Sequence, residues 1–138
     1  MVSRSAAADE SPSPGTAVLL IAHGSRRKEA NDDLLKLADL VSAKGSYQAV
    51  QVSYLELAPP SIIEGGRICV GRGATRVLML PYFLSAGVHV VNDLKDARQQ
   101  LADEFAGVEF VLCGHLGLHP LMADIVLARL DEGAKSQI

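Results

Sequence analysis

The 138-residue sequence has no tryptophan, only two cysteines, and no apolar run near the roughly 20 residues that a membrane-spanning helix needs. Cysteines as few and as far apart as Cys69 and Cys113 exclude a disulfide framework and a metal ribbon. They fit a reducing compartment, where buried thiols pack as small hydrophobes. Basic residues are not in excess: thirteen Lys plus Arg stand against sixteen Asp plus Glu, a formal charge of −3. That balance argues against a nucleic-acid partner, while leaving room for a local basic patch facing a small acidic ligand. The first fifteen residues lack both the apolar stretch of a signal peptide and the arginine-rich, acid-free character of a transit peptide. Residues 1–15 are therefore read as a disordered tail ahead of one domain over residues 16–138. The protein is read as cytoplasmic, with no membrane partner.

Several motifs are also missing. No G-x-G-x-x-G follows the first apolar run, and there is no G-x-x-x-x-G-K-[ST], so nucleotide binding has no direct support. Ser25 lies outside any G-x-S-x-G elbow, which argues against a serine hydrolase. A receiver domain would carry acids after its first and third strands, where this chain has histidines.

What is present is a strict alternation. Four apolar, largely β-branched runs (residues 17–22, 49–54, 76–80 and 108–113) are separated by segments of helical period. Leu34, Leu37, Ala38 and Val41 form one stripe; Leu94, Ala97, Leu101 and Phe105 form another; Met122, Ile125, Val126 and Leu130 form a third. A helix opening at Pro60 and closing at Gly71 or Gly73 completes the set. Such alternation predicts an α/β fold of three layers, a parallel sheet with right-handed crossovers. The first and third runs are apolar throughout, as central strands are. The second alternates and the fourth contains Glu109, which marks them as edges. The resulting order is 2-1-3-4, flavodoxin-like. Ligands in such sheets sit beyond the carboxyl ends of the strands where the winding reverses, here between strands one and three.

Two histidines fall at that crevice: His23 follows strand one, and His89 follows strand three. Two neutral imidazoles from separate loops can hold a divalent ion and leave positions open for a substrate; the alternative is one core and one surface histidine. Arg26, Arg27 and Lys28 open the first helix, against the preference of its dipole. An anionic ligand would account for them, as would a solvated helix start. Glu56, just past strand two, can act as a third ligand, accept protons, or stabilise the start of helix two. Cys113 and His115 end the fourth strand, where packing is favoured over metal binding. His119-Pro120 reads as a helix start. Gly65-Gly66 inside a helix reads equally as close packing or as substrate approach.

The segments HGSRRKEAN (23–31), SYLELAPPSI (53–62), LPYFLSAGVHVVNDL (80–94) and LGLHPLM (116–122) resemble the small class II chelatases of tetrapyrrole biosynthesis, the short sirohydrochlorin chelatases. The resemblance spans most of the folded domain, and its HGSR and LSAGVH pieces are its most specific parts. It implies a chelatase-like fold and insertion of Co²⁺ or Fe²⁺ into sirohydrochlorin, in cobalamin or sirohaem biosynthesis. It implies that His23 and His89 are the metal-binding and catalytic histidines and, less directly, that Glu56 is a site acid. Arg26, Arg27, Ser25, Ser85, Ala86 and Gly87 are then expected to meet the tetrapyrrole, whose eight carboxylates suit an arginine rim. The divalent metal is substrate rather than resident cofactor. Plant relatives carry cysteines for an iron–sulfur cluster in a C-terminal extension; this chain shows none, so no cluster is expected. Longer members contain two similar halves, so a homodimer is expected.

Overall fold

The first strand decides the architecture. In the computed structural model, which describes residues 14–136, β1 (Thr16–Ala22) is hydrogen-bonded on both sides, to β2 (Ala49–Tyr54) and to β3 (Arg76–Pro81), all parallel. β4 (Glu109–Leu112) joins the far side of β3, giving the order β2-β1-β3-β4. This is the order read from the sequence. Ala17, Leu19 and Ile21 point to one face and Val18 and Leu20 to the other, and each set nucleates its own core. Leu19, Leu20 and Ile21 are at most 1% exposed. Such burial stabilises a domain by roughly 1.5–3 kcal/mol per side chain.

The crossovers cover both faces. α1 (Lys28–Lys44) lays Leu34 and Ala38 over Val18, Leu20, Val52 and Tyr54. α2 (Ile62–Gly71) and α3 (Val88–Glu104) cover the opposite face, where Cys69, Leu94 and Leu101 meet Leu19, Ile21 and Met79. Gly65 and Gly66 are there for close packing rather than substrate approach. A β-carbon on Gly65 would lie 2.8 Å from Leu19 Cδ1, and one on Gly66 would lie 2.5 Å from Leu101 Cδ1.

Some boundaries change, and the last helix is left uncovered. α2 begins at Ile62, two residues beyond Pro60, because Ser61 caps it: the Ser61 hydroxyl accepts the Glu64 N–H while the Glu64 carboxylate accepts the Ser61 N–H. The Pro59-Pro60 peptide bond ahead of it is cis. The fourth strand is shorter than the run 108–113. Cys113 lies beyond it, although its N–H still donates to the Met79 carbonyl at 2.9 Å. α4 (Leu121–Ser136) carries the expected stripe, yet none of its residues is buried. Leu121, Ile125, Val126, Leu127 and Leu130 are all more than half exposed.

Of the expected tail, residues 1–13 lie outside the described residues. Gly15 is tied to the sheet, its carbonyl accepting the Thr75 and Arg76 N–H groups. Cys69 is fully buried and Cys113 half-buried, and burial raises both thiols, Cys69 to about 11. Among the described residues no helix is long and apolar enough to cross a membrane.

Candidate active site

The loops beyond β1 and β2 are joined by their backbones, and this places His23. Leu55 N–H donates to the Ala22 carbonyl at 2.9 Å, and Glu56 N–H donates to the His23 carbonyl at 3.1 Å. Parallel pairing thus extends past the strand ends and sets His23 and Glu56 side by side in the chain direction. The next residue must be glycine. Gly24 has φ +96°, and a β-carbon there would lie 1.8 Å from the Glu56 carbonyl oxygen.

The HGSR segment is then braced from below. Ser25 N–H donates to Asn31 Oδ1 at 3.0 Å, and Asn31 Nδ2 donates to the Ser25 carbonyl at 2.8 Å. The Tyr54 hydroxyl donates to the Asn31 carbonyl at 2.8 Å. Burial, with the nearby Asp32 carboxylate, raises that phenol above its usual range. Ser25 Oγ accepts the Arg27 N–H at 3.0 Å, so its hydroxyl already serves the turn into α1. Asn31 was not singled out from sequence, although it closes the HGSRRKEAN segment.

The His23 ring stacks on Phe83, centroids 4.3 Å apart and planes 26° from parallel. Phe83 is buried and belongs to the loop after β3. A cavity of about 380 Å³ opens beside this pair, with His23, Glu56 and Asp93 as its titratable groups and Ile62, Ile63 and Val90 among its apolar walls. Asp93 was also missed. The available signal was its place one helical turn after His89, on the same side of α3.

His89 itself is the second residue of α3, exposed, and outside the lining of that cavity. Among the described residues no three His, Cys, Asp or Glu side chains converge closely enough to hold a metal ion. His23, His89 and Glu56 therefore border one end of the sheet without forming a preassembled ligand set. Arriving ion or substrate would have to complete the coordination.

The basic residues sort differently from one another. Lys28 pairs with Asp32 at 2.8 Å, a hydrogen bond that raises its ammonium, and Arg27 approaches Glu29 at 3.9 Å. Two of the three cations thus have partners inside α1, which weakens the case for an anion drawn from the whole triplet. Arg26 is exposed and makes no ion pair among the described residues. Ser85 and Gly87 are exposed at the start of α3, where Gly87 is the N-cap; Ala86 packs partly on the core. His119 Nδ1 accepts the Leu121 N–H at 3.1 Å, so this histidine opens α4. His115 is exposed and lies against Gly117.

The CbiX family model matches residues 17–133. The chain is 34% identical over 129 residues to the sirohydrochlorin cobaltochelatase of Priestia megaterium, covering 94% of this chain and 42% of that protein. It is 35% identical over 114 residues to the chloroplastic sirohydrochlorin ferrochelatase of Arabidopsis thaliana, covering 83% and 51% respectively. Among solved structures, the sirohydrochlorin chelatase SirB of Bacillus subtilis subspecies spizizenii, in complex with cobalt, superposes with a TM-score of 0.77 at 26% identity. That match covers 85% of this chain and 50% of SirB. The chain thus spans about half the length of the curated relatives named here.

Proposed function

The chain belongs to the CbiX family, and we propose that it is a sirohydrochlorin chelatase, inserting Co²⁺ or Fe²⁺ into the macrocycle. The observation that carries this reading is the placement of His23. It stands at the end of the central strand, its ring face on Phe83, over a cavity that also holds Glu56 and Asp93. Relatives named cobaltochelatase and ferrochelatase match most of this chain, and a cobalt-bound sirohydrochlorin chelatase superposes on its fold, which supports the reading.

Insertion has two requirements. Two pyrrole N–H protons must leave, and the ion must exchange its first ligands for ring nitrogens. Neutral imidazole meets both, because it ligates first-row dications and accepts protons near neutral pH. His23 and His89 are the catalytic and metal-binding residues of this reading, and Glu56 adds negative charge that draws the cation in. A site of imidazole and carboxylate accepts several first-row ions in order of their intrinsic affinity. The metal is substrate; no resident cofactor and no iron–sulfur cluster is invoked. Arg26 and Arg27, with Ser25 and the Ser85-Ala86-Gly87 segment, form the rim that meets the tetrapyrrole carboxylates. The rim gains from the N–H groups at the start of α3, which no side chain caps among the described residues.

The assembly is read as a homodimer. α4 leaves an apolar stripe uncovered, and the long relatives carry about as much chain again beyond the matched portion. The unpaired thiols are the basis for a cytoplasmic location.

The deciding experiment is anaerobic incubation of the protein with sirohydrochlorin and either ion, followed by absorbance. Conversion to the metallated spectrum at a rate proportional to protein supports the reading. Stoichiometric binding without turnover would replace the enzyme with a carrier, and turnover only with Ni²⁺ would replace the metal.

A further inference from the structure

His23 is fixed at two points. Its backbone carbonyl accepts the Glu56 N–H, and its ring lies face to face with Phe83. Neither of its ring nitrogens has a hydrogen-bond partner among the described residues, whose side-chain bonds at this site run instead through Ser25, Asn31 and Tyr54. That is uncommon for a histidine read as a metal ligand. Such a residue ordinarily donates its second N–H to a carboxylate or carbonyl, which locks the ring and raises its basicity.

We propose that Phe83 is the positioning residue that replaces this missing hydrogen bond. It holds the imidazole plane through its face and leaves both ring nitrogens free of protein partners, so that the one basic nitrogen can take the ion or a proton while the other keeps its N–H. The inference rests on reading His23 as the metal-facing group.

Phe83 is built to hold its place. It is 4% exposed, and its carbonyl accepts the Gly117 N–H at 2.9 Å. Just before it in the chain, Tyr82 N–H donates to the Ile21 carbonyl at 2.7 Å, and the Pro81 carbonyl accepts the Leu116 N–H at 3.0 Å. The loop after β4 therefore clamps the loop after β3, which in turn sets the ring of the residue after β1. This gives a role to the LGLHP segment, which contributes no group to the cavity. The chemical consequence matches a protein that must give its ion away. A carboxylate behind His23 would strengthen the imidazole as a ligand and slow release, whereas an aromatic face orients the ring without adding charge.

The test compares Phe83→Leu, which keeps an apolar side chain, with Phe83→Tyr, which keeps the ring. An unrestrained histidine samples three χ1 wells and a roughly two-fold χ2, so Phe83→Leu should lower kcat roughly five- to tenfold. KM for sirohydrochlorin should stay unchanged, because the rim is untouched. Phe83→Tyr should restore kcat. In wild-type protein with ¹⁵N-labelled histidine, the His23 ring protons should be displaced upfield by the Phe83 ring current, and the displacement should vanish in Phe83→Leu. Wild-type kcat in Phe83→Leu, with His23→Ala inactive, would overturn the inference and leave the chelatase reading standing. Lack of any upfield displacement in folded wild type would overturn it as well, whatever the variants do. Full activity in His23→Ala would instead overturn the assignment of His23 itself.

Discussion

Gly24 stands so close to the chain of Glu56 that a β-carbon on it would lie 1.8 Å from the Glu56 carbonyl oxygen. The residue after His23 is thus set by backbone crossing backbone, at a φ of +96° that other residues avoid. Gly24→Ala should destabilise the domain by about 2–3 kcal/mol or more, since neither the strain nor the contact can be relieved by a side-chain rotation. Gly87→Ala is the control: a β-carbon there meets nothing within 4 Å and φ is −78°. Thermal melts of both variants check this. Equal melting temperatures would show that the loops can separate at little cost.

Replacing His23 or His89 by Ala should reduce metal insertion at least about a hundredfold with the fold intact, the lower end of what a positioned proton acceptor contributes. Glu56→Gln and Asp93→Asn should be milder and should act mainly on the apparent affinity for the ion, because each removes one negative charge from the cavity wall. Insertion rates against metal concentration separate the cases. A double variant Glu56→Gln with Asp93→Asn that keeps wild-type metal dependence would leave His23 as the one functional group in the cavity.

The sheet order was legible in the sequence, and with it the strand ends that border the candidate site, for physical reasons that differ from residue to residue. β1 reads AVLLIA because a central parallel strand is buried on both faces, and its central place puts the crevice at the strand ends that precede His23 and His89. Gly24, Asn31 and Phe83 were not legible as site residues. Each acts through a partner more than 20 residues away or through a turn whose geometry has no sequence period. The Met122-to-Leu130 stripe announced its helix, but not what covers it. An amphipathic pattern shows that one face will be covered, and not by which chain.

The two thiols should respond unequally to a thiol reagent at pH 8. Cys113, half-buried, should react slowly, and Cys69, buried and raised to about 11, should react only on unfolding. Because folding raises the Cys69 pKa, the folded state keeps its proton longer than the unfolded chain. The resulting stability is complete below about pH 8.5–9 and is lost as pH climbs towards 11. At about 1.4 kcal/mol per pKa unit, the decline is on the order of 2–3 kcal/mol. Urea midpoints at pH 8 and pH 10.5 measure it. A Cys69→Ala variant should lose that part of the pH dependence while keeping chelation within a few-fold.

If α4 pairs with its counterpart in a second copy, charges on its uncovered stripe should dissociate the assembly. Ile125→Glu with Leu130→Glu, both at positions more than half exposed, should cost the monomer little and convert dimer to monomer in light scattering at micromolar concentration. A wild-type protein that is already monomeric at that concentration would remove the homodimer. Removing residues 1–13, which leaves the Gly15 carbonyl bonded to Thr75 and Arg76, should leave both assembly and activity within a few-fold.

The arginines offer the sharpest test of the substrate, because their partners differ. Arg27 has Glu29 at 3.9 Å, an exposed pair of the kind that contributes about 0–1 kcal/mol, so it can still turn to an anion at small cost. Arg26 has no competing carboxylate in ion-pair range among the described residues and should carry more of the attraction. Arg26→Glu should therefore raise KM for sirohydrochlorin more than Arg27→Glu, and the double variant should raise it most. Affinity for the free ion should fall little, since an added carboxylate attracts cations. Wild-type KM should rise with salt, because charges at the rim are screened beyond about 8 Å at physiological ionic strength. The double variant should lose most of that salt response. Equal KM values and equal salt slopes in all four proteins would reduce Arg26 and Arg27 to a solvated helix start. The tetrapyrrole would then have to be held by the Ser85-to-Gly87 segment and the N-terminus of α3 alone.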